Sequence, residues 1–289
     1  MLIALFKTMR PRQWTKNVFI FAALVFDKQL LVVDSFLRTL AGFALFCLIS
    51  SSVYIFNDLS DVEADRQHPE KKNRPIASGK LPVGVRLAAG IMIVIATVAL
   101  AYWLAPAFCA VIVAYFVLNL AYTKWLKHIP ILDVLIISAG FVLRVGAGVT
   151  LIHVERFSPW LYIVMSLLSL FLGFGKRRAE LALLAHGAGS HRKVLDGYTL
   201  PLLDQYIMIV SGTTIVAYSL YTFSAPNVPE NHSMMLTIPF VVYTIFRYLY
   251  LIEVKHAGGA PEEVLLSDRP FQLAMFFWAV TVLAIFYFS

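Results

Sequence analysis

The chain has 289 residues, of which 60% are hydrophobic and only 14% charged, and its mean hydropathy is +0.76. Soluble domains carry about 25% charged residues, so a water-soluble fold is excluded and the chain reads as an integral membrane protein. Its net charge of +7 does not call for nucleic acid, because anionic lipid headgroups already favour basic loops on one face of a bilayer.

The chain opens with a short apolar run, Met1 to Phe6, ahead of Lys7, Arg10 and Arg12. That order reverses a secretory signal, in which charge precedes the apolar core, and it predicts a short interfacial helix. A membrane-crossing helix needs about 20 apolar residues. Nine such spans are predicted, at 16–33, 35–56, 84–104, 106–122, 129–152, 159–175, 205–224, 234–252 and 271–288. The fold class is therefore all-α, a single polytopic membrane domain over residues 1–289. With the N-terminus inside and the spans alternating, twenty of the 24 basic residues fall on one side and three on the other, with Arg144 inside a span. The positive-inside rule makes the rich side cytoplasmic. Cys47 and Cys109 lie inside spans and read as packing residues, and the histidines show no metal-ligand spacing.

Chemistry concentrates where the second span ends. Asn57-Asp58-Leu59-Ser60-Asp61-Val62-Glu63-Ala64-Asp65 places Asp58, Asp61 and Asp65 on one face of a helix. Carboxylates at a membrane boundary need a partner. A hard divalent cation such as Mg²⁺ takes oxygen ligands and is commonly shared with substrate phosphates. This stretch thus predicts a site that holds a diphosphate through Mg²⁺, with Asp58, Asp61 and Asp65 as metal ligands and Asn57 beside them. The basic loop that follows, with Lys72 and Arg74, supplies phosphate partners.

The remaining candidates sit at other cytoplasmic ends. Lys16 and Asn17 stand where the first span enters the membrane. Tyr122 and Lys127 flank the loop before Asp133. Lys176, Arg177 and Arg178 end the sixth span ahead of Glu180. Each set also reads as an ordinary interfacial anchor. Arg144 is expected to pair with Asp133, and Glu180 with Lys176 at i, i+4.

These residues resemble the UbiA superfamily of intramembrane prenyltransferases over the whole chain. The resemblance rests on the Asn-Asp-x-x-Asp-x-x-x-Asp pattern at Asn57, Asp58, Asp61 and Asp65. It implies nine transmembrane helices around a central cavity open to the cytoplasm, in a bacterial inner membrane. Most members carry a second Asp-x-x-x-Asp motif after the sixth helix, where this chain has Lys176-Arg177-Arg178-Ala-Glu180. Together with Arg10-Pro-Arg-Gln-Trp14-x-Lys16-Asn17 and Pro261-Glu262-Glu263…Asp268-Arg269, that departure is similar to the branch that acts on decaprenyl phosphate. The branch implies phosphoribosyl pyrophosphate as donor, a polyprenyl phosphate as acceptor, and a product that feeds cell-wall arabinan. It also implies that Lys176, Arg177 and Arg178 form a cationic patch for the 5-phosphate or the lipid phosphate. An aromatic prenyltransferase using a polyprenyl diphosphate shares the first motif but predicts the missing second one. A lipid transporter predicts internal repeats and does not need three carboxylates on one helix face.

Overall fold

The computed structural model describes residues 2–60, 62, 83–154, 158–185, 192–255, 264 and 267–288. Among these the chain is helical throughout. A short helix, α1 (Leu2–Thr8), precedes a 3₁₀ helix at Pro11–Phe21 that runs on into α2 (Ala22–Phe26). The long helices follow: α3 (Val33–Ser60), α4 (Val83–Leu104), α5 (Pro106–Lys124), α6 (Leu132–Val149), α7 (Pro159–Ala185), α8 (Leu200–Ser224), α9 (Ile238–Glu253) and α10 (Arg269–Phe288). Among the described residues, eight helices are long and apolar enough to cross a membrane, which makes the chain a multi-pass membrane protein. Their outward faces carry bare apolar side chains, such as Met92, Ile95 and Trp103 on α4 and Phe276 and Phe277 on α10. Such faces need lipid rather than water around them.

The starts of these helices are written locally. Pro106, Pro201 and Pro239 occupy the first turns of α5, α8 and α9, where an N–H is not needed and the fixed φ suits the helix. Thr199 caps α8 by accepting from the Leu202 N–H at 3.3 Å. Within α3 the buried serines turn their hydroxyls back on the helix: Ser51 and Ser52 donate to the carbonyls of Cys47 and Ile49, both at 2.7 Å. Away from water these hydroxyls must be satisfied internally, and the small side chains let neighbouring backbone come close.

Two expectations change. The first span, expected at 16–33, is not a long α-helix but the 3₁₀ segment of 11 residues followed by the five of α2. At about 2.0 Å rise per residue for 3₁₀ and 1.5 Å for α, the two pieces extend roughly 30 Å, near the thickness of the hydrocarbon core. The segment stops where Lys28 takes a left-handed conformation (φ 57°) and the Gln29 N–H bonds back to the Leu24 carbonyl at 3.0 Å, a Schellman closure. The sixth span, expected to end at 175, continues as helix to Ala185. Lys176, Arg177, Arg178 and Glu180 therefore stand on helix and not in a loop.

The chain forms two compact units, one made of Met1–Val25, Gln29–Lys127 and Leu143–Val154, the other of Phe26–Lys28, His128–Val142 and Glu155–Ser289. The first packs around Ile20, Phe46, Ile49, Phe108 and Ile112. Here α6 presses directly on the 3₁₀ helix: a Cβ added at Gly148 would lie 2.0 Å from the Ile20 carbonyl oxygen. The second unit packs around Phe171, Phe174, Leu203, Ile245 and Tyr248.

Candidate functional site

In the first unit the N-terminal segment runs along α3 and is tied to it at regular intervals. Arg10, held left-handed at φ 52° and ψ 62° between α1 and the 3₁₀ helix, donates through its guanidinium to the Asp58 carboxylate. The same guanidinium lies 4.9 Å from the centre of the Tyr54 ring, one helical turn before Asp58. Trp14 donates its indole N–H to Ser51 Oγ at 3.0 Å, and the Met9 carbonyl lies 3.1 Å from the same oxygen, whose one proton is shared with the nearer Cys47 carbonyl. Asn17 donates to Ser50 Oγ at 3.2 Å and contacts Cys47 Sγ at 3.3 Å. Thus residues 10, 14 and 17 step along α3 from Asp58 towards Cys47. Asp58 is buried and Asn57 half-buried in the last turn of α3.

Further along this unit, Asn17 Oδ1 accepts from Arg144 Nε at 2.8 Å, and Arg144 also donates to the Tyr115 hydroxyl at 2.9 Å. The expected pairing of Arg144 with Asp133 does not form, because both stand on α6, separated by roughly 16 Å of helical rise. Lys16 lies half-buried beside Asn17, Tyr122 half-buried near the end of α5, and Lys127 half-buried in the 3₁₀ turn Leu126–His128. Asp61, Asp65, Lys72 and Arg74 lie outside the described residues. Among the described residues no group of three or more His, Cys, Asp or Glu side chains is placed to hold a metal ion.

The second unit holds a denser network. Asp133, fully buried in the first turn of α6, accepts from Arg177 Nε on one oxygen at 2.6 Å and from the Tyr198 hydroxyl on the other at 2.7 Å. That hydroxyl in turn accepts from the Ile131 N–H at 2.6 Å. Burial, and then the bond to the Asp133 carboxylate, raise the Tyr198 pKa well above its usual range, so the phenol stays protonated as the donor. Ile131 is left-handed at φ 71°, which is costly for a β-branched residue, and it is held there by the bonds on either side. Arg177 reaches Glu180 at 2.7 Å through its other arm, and Glu180 lies 3.8 Å from Arg192. Arg178 forks between Asp204 and Glu253, each at 2.6 Å.

This geometry corrects two expectations. Glu180 is bonded to Arg177, three residues before it, rather than standing as the i, i+4 partner of Lys176. The cationic patch is not bare: Arg177 and Arg178 are each engaged by two carboxylates. Asp204, Glu253 and Tyr198 are partners that sequence reasoning missed. The signal for them was present, since an ionisable group at the edge of a membrane span asks for a partner.

The UbiA prenyltransferase family model matches residues 18–280, running through both units. The chain belongs to this family. Similar UbiA-family proteins include the decaprenyl-phosphate phosphoribosyltransferase of Mycolicibacterium smegmatis, 34% identical over 99% of this chain and 93% of that protein. The decaprenyl-phosphate phosphoribosyltransferase of Corynebacterium glutamicum is 33% identical over 97% of this chain and 86% of that one. Among solved structures, a UbiA homologue from Archaeoglobus fulgidus bound to GPP and Mg²⁺ superposes with a TM-score of 0.73 over 98% of this chain and 99% of that one, at 16% identity. That last likeness is one of fold.

Proposed function

We propose that this UbiA-family protein transfers 5-phosphoribose from phosphoribosyl pyrophosphate to a polyprenyl phosphate of the decaprenyl type, releasing pyrophosphate. The observation that carries this reading is the continuous likeness, through both units, to proteins named for that reaction. In the reaction the bond between ribose C1 and the pyrophosphate oxygen breaks, and its electron pair leaves with pyrophosphate. A lipid phosphate oxygen forms the new bond to C1. That oxygen is already ionised at neutral pH, so no strong general base is needed. The product is a precursor for arabinan of the cell wall.

The donor is highly anionic, so we place its site at the cytoplasmic face of a bacterial inner membrane, with the N-terminus inside. The Pro11–Phe26 segment counts as a ninth crossing in this topology, around a cavity that opens to the cytoplasm. Asp58, with Asp61 and Asp65, would hold Mg²⁺. The donor set fits a hard cation, because the carboxylate of Asp58 and the amide of Asn57 offer oxygen, and the Asp58 carboxylate already has a cationic partner in Arg10. When bound, the ion supplies stabilisation of negative charge on the leaving group. Asp58 and Asp61 are the catalytic pair in this reading. Lys16, Lys72, Arg74, Tyr122, Lys127 and Lys176 are assigned to phosphate and ribose binding, whereas Asn17, expected among them, is fully buried with both ends of its amide engaged and serves to hold the 3₁₀ segment to α3. Arg177 and Arg178, bonded to carboxylates on both arms, serve to position the end of α7 that carries Lys176.

Purified protein incubated with phosphoribosyl pyrophosphate, a polyprenyl phosphate and Mg²⁺ is expected to give the phosphoribosylated lipid by mass spectrometry, and to stop with a chelator. Turnover of a prenyl diphosphate onto an aromatic acceptor, with no phosphoribosyl lipid, would refute the assignment.

A further inference from the structure

The Asp58 carboxylate is needed for the metal in the reading above, yet it is already occupied. Its side chain is only 3% exposed, and a carboxylate so far out of water requires a cation or several donors. Arg10 supplies one. The arginine itself is differently placed: its side chain is 28% exposed, and it springs from a left-handed residue at a junction between two helices. The backbone on its C-terminal side is fixed to α3 by the Trp14–Ser51 and Asn17–Ser50 bonds, and the Met9 carbonyl lies against Ser51. The long side chain is therefore the part that can move while the segment stays docked. In that same position the guanidinium also lies against the Tyr54 ring, a contact that favours a cation independently of the carboxylate.

We infer that Arg10 is a stand-in cation: it neutralises Asp58 while the metal is absent, and transfers its guanidinium to a diphosphate oxygen when a divalent ion takes the carboxylate. This rests on the metal–diphosphate reading of the site. The exchange conserves charge balance at every stage. Without metal or donor, the Arg10 guanidinium faces the buried Asp58 carboxylate. With both, Asp58 would be neutralised by the ion, and the guanidinium fork, which suits paired phosphate oxygens, would face the anion. Arg10 is thus a positioning and donor-binding residue whose two partners are mutually exclusive.

The exchange predicts affinities that move in opposite directions. Mn²⁺ binding, read by electron paramagnetic resonance of the free ion, and binding of pyrophosphate in the presence of Mg²⁺, read by calorimetry, are compared in the full-length protein and in Arg10→Gln and Arg10→Lys. Arg10→Gln is expected to bind Mn²⁺ alone about tenfold more tightly, because the competing cation is gone. It is expected to bind pyrophosphate with Mg²⁺ about tenfold more weakly, because a charge-assisted bond is lost. Arg10→Lys keeps the charge but not the fork, so its Mn²⁺ affinity stays near the parent's while pyrophosphate affinity falls. Should Arg10→Gln fail to fold in thermal melts, the Arg10→Lys pair of affinities decides the matter alone. Two affinities that fall together, or neither moving, would overturn the exchange and leave Arg10 a structural tie. Failure of the parent protein itself to bind Mn²⁺ or pyrophosphate would instead refute the site reading, and the inference with it.

Discussion

Each unit holds a buried carboxylate against an arginine, and the two pairs are built to opposite ends. Asp133 and Arg177 are 0% and 2% exposed, and both carboxylate oxygens are taken, by Arg177 and by Tyr198. Asp58 is just as buried, but its arginine is more than a quarter exposed and reaches in from a left-handed turn. A pair with both members desolvated is costly to break and unsuited to exchange, because removing either partner strands a charge away from water. A pair with one member at the surface can trade that member for another cation at little cost. The two pairs therefore differ in kind: in one both members are sealed from water, and in the other the arginine is open to it.

The largest expected effect breaks the fixed pair. Asp133→Asn strands part of the Arg177 charge and disturbs the Tyr198 bond, and should cost about 3–5 kcal/mol of stability, seen as a large fall in the thermal midpoint in detergent. The double variant Asp133→Leu with Arg177→Leu should retain more stability than either single change, because no charge is left alone. Next in size, and on a different axis, Asp58→Asn should lower turnover of phosphoribosyl pyrophosphate by about 10²–10³-fold, as loss of a charge-stabilising group does. Its thermal midpoint should stay near the parent's, since Arg10 can turn to water. A midpoint that collapses in Asp58→Asn would erase the distinction between the two pairs.

The sequence makes one side of this comparison far easier to see than the other. Eight of the expected spans are continuous helices because runs of about 20 apolar residues and prolines at helix starts are local signals. Asn57-Asp58 at the end of α3 stood out for the same reason, as carboxylates closing an apolar run. What stayed hidden depended on distant partners. The run from Lys176 to Glu180 fell beyond the expected end of the sixth span, because hydropathy drops where the charges begin. It is helical because Asp133, Asp204 and Glu253 meet those charges from elsewhere in the chain. The tie from Arg10 to Asp58 spans 48 residues and has no periodicity to betray it. The first span was misjudged in kind, since hydropathy measures apolar length and is blind to the choice between α and 3₁₀ winding.

A smaller effect sharpens the claim that the backbone behind Arg10 is held still. Gly146 and Gly148 are neighbours on α6, but a Cβ at Gly146 meets nothing within 4 Å, whereas one at Gly148 strikes the Ile20 carbonyl at 2.0 Å. Gly148→Ala should therefore push the 3₁₀ segment away and cost about 1–3 kcal/mol, while Gly146→Ala should be neutral or slightly stabilising through helix propensity. Thermal midpoints of the two variants decide it. Equal values would mean that α6 does not clamp the segment that carries Arg10.

The smallest effect tests an ion pair at a helix end, Arg247 with Asp268. The guanidinium forks onto both carboxylate oxygens at 3.1 and 2.8 Å, and Asp268 also accepts from the Phe271 N–H at 2.9 Å, capping α10. The bond from Arg247 first, and the Phe271 N–H with it, hold the Asp268 pKa below the ordinary carboxylate value. A carboxylate with a lowered folded pKa contributes its full stabilisation above its unfolded value of about 3.9 and loses it as pH falls through the lower, folded value. The gap in thermal midpoint between the parent and Asp268→Asn should therefore be flat from about pH 8 to about pH 5 and close only below about pH 4. A gap that closed nearer neutrality would mean that Asp268 is protonated in the folded protein, and that the end of α10 is held by something other than this pair.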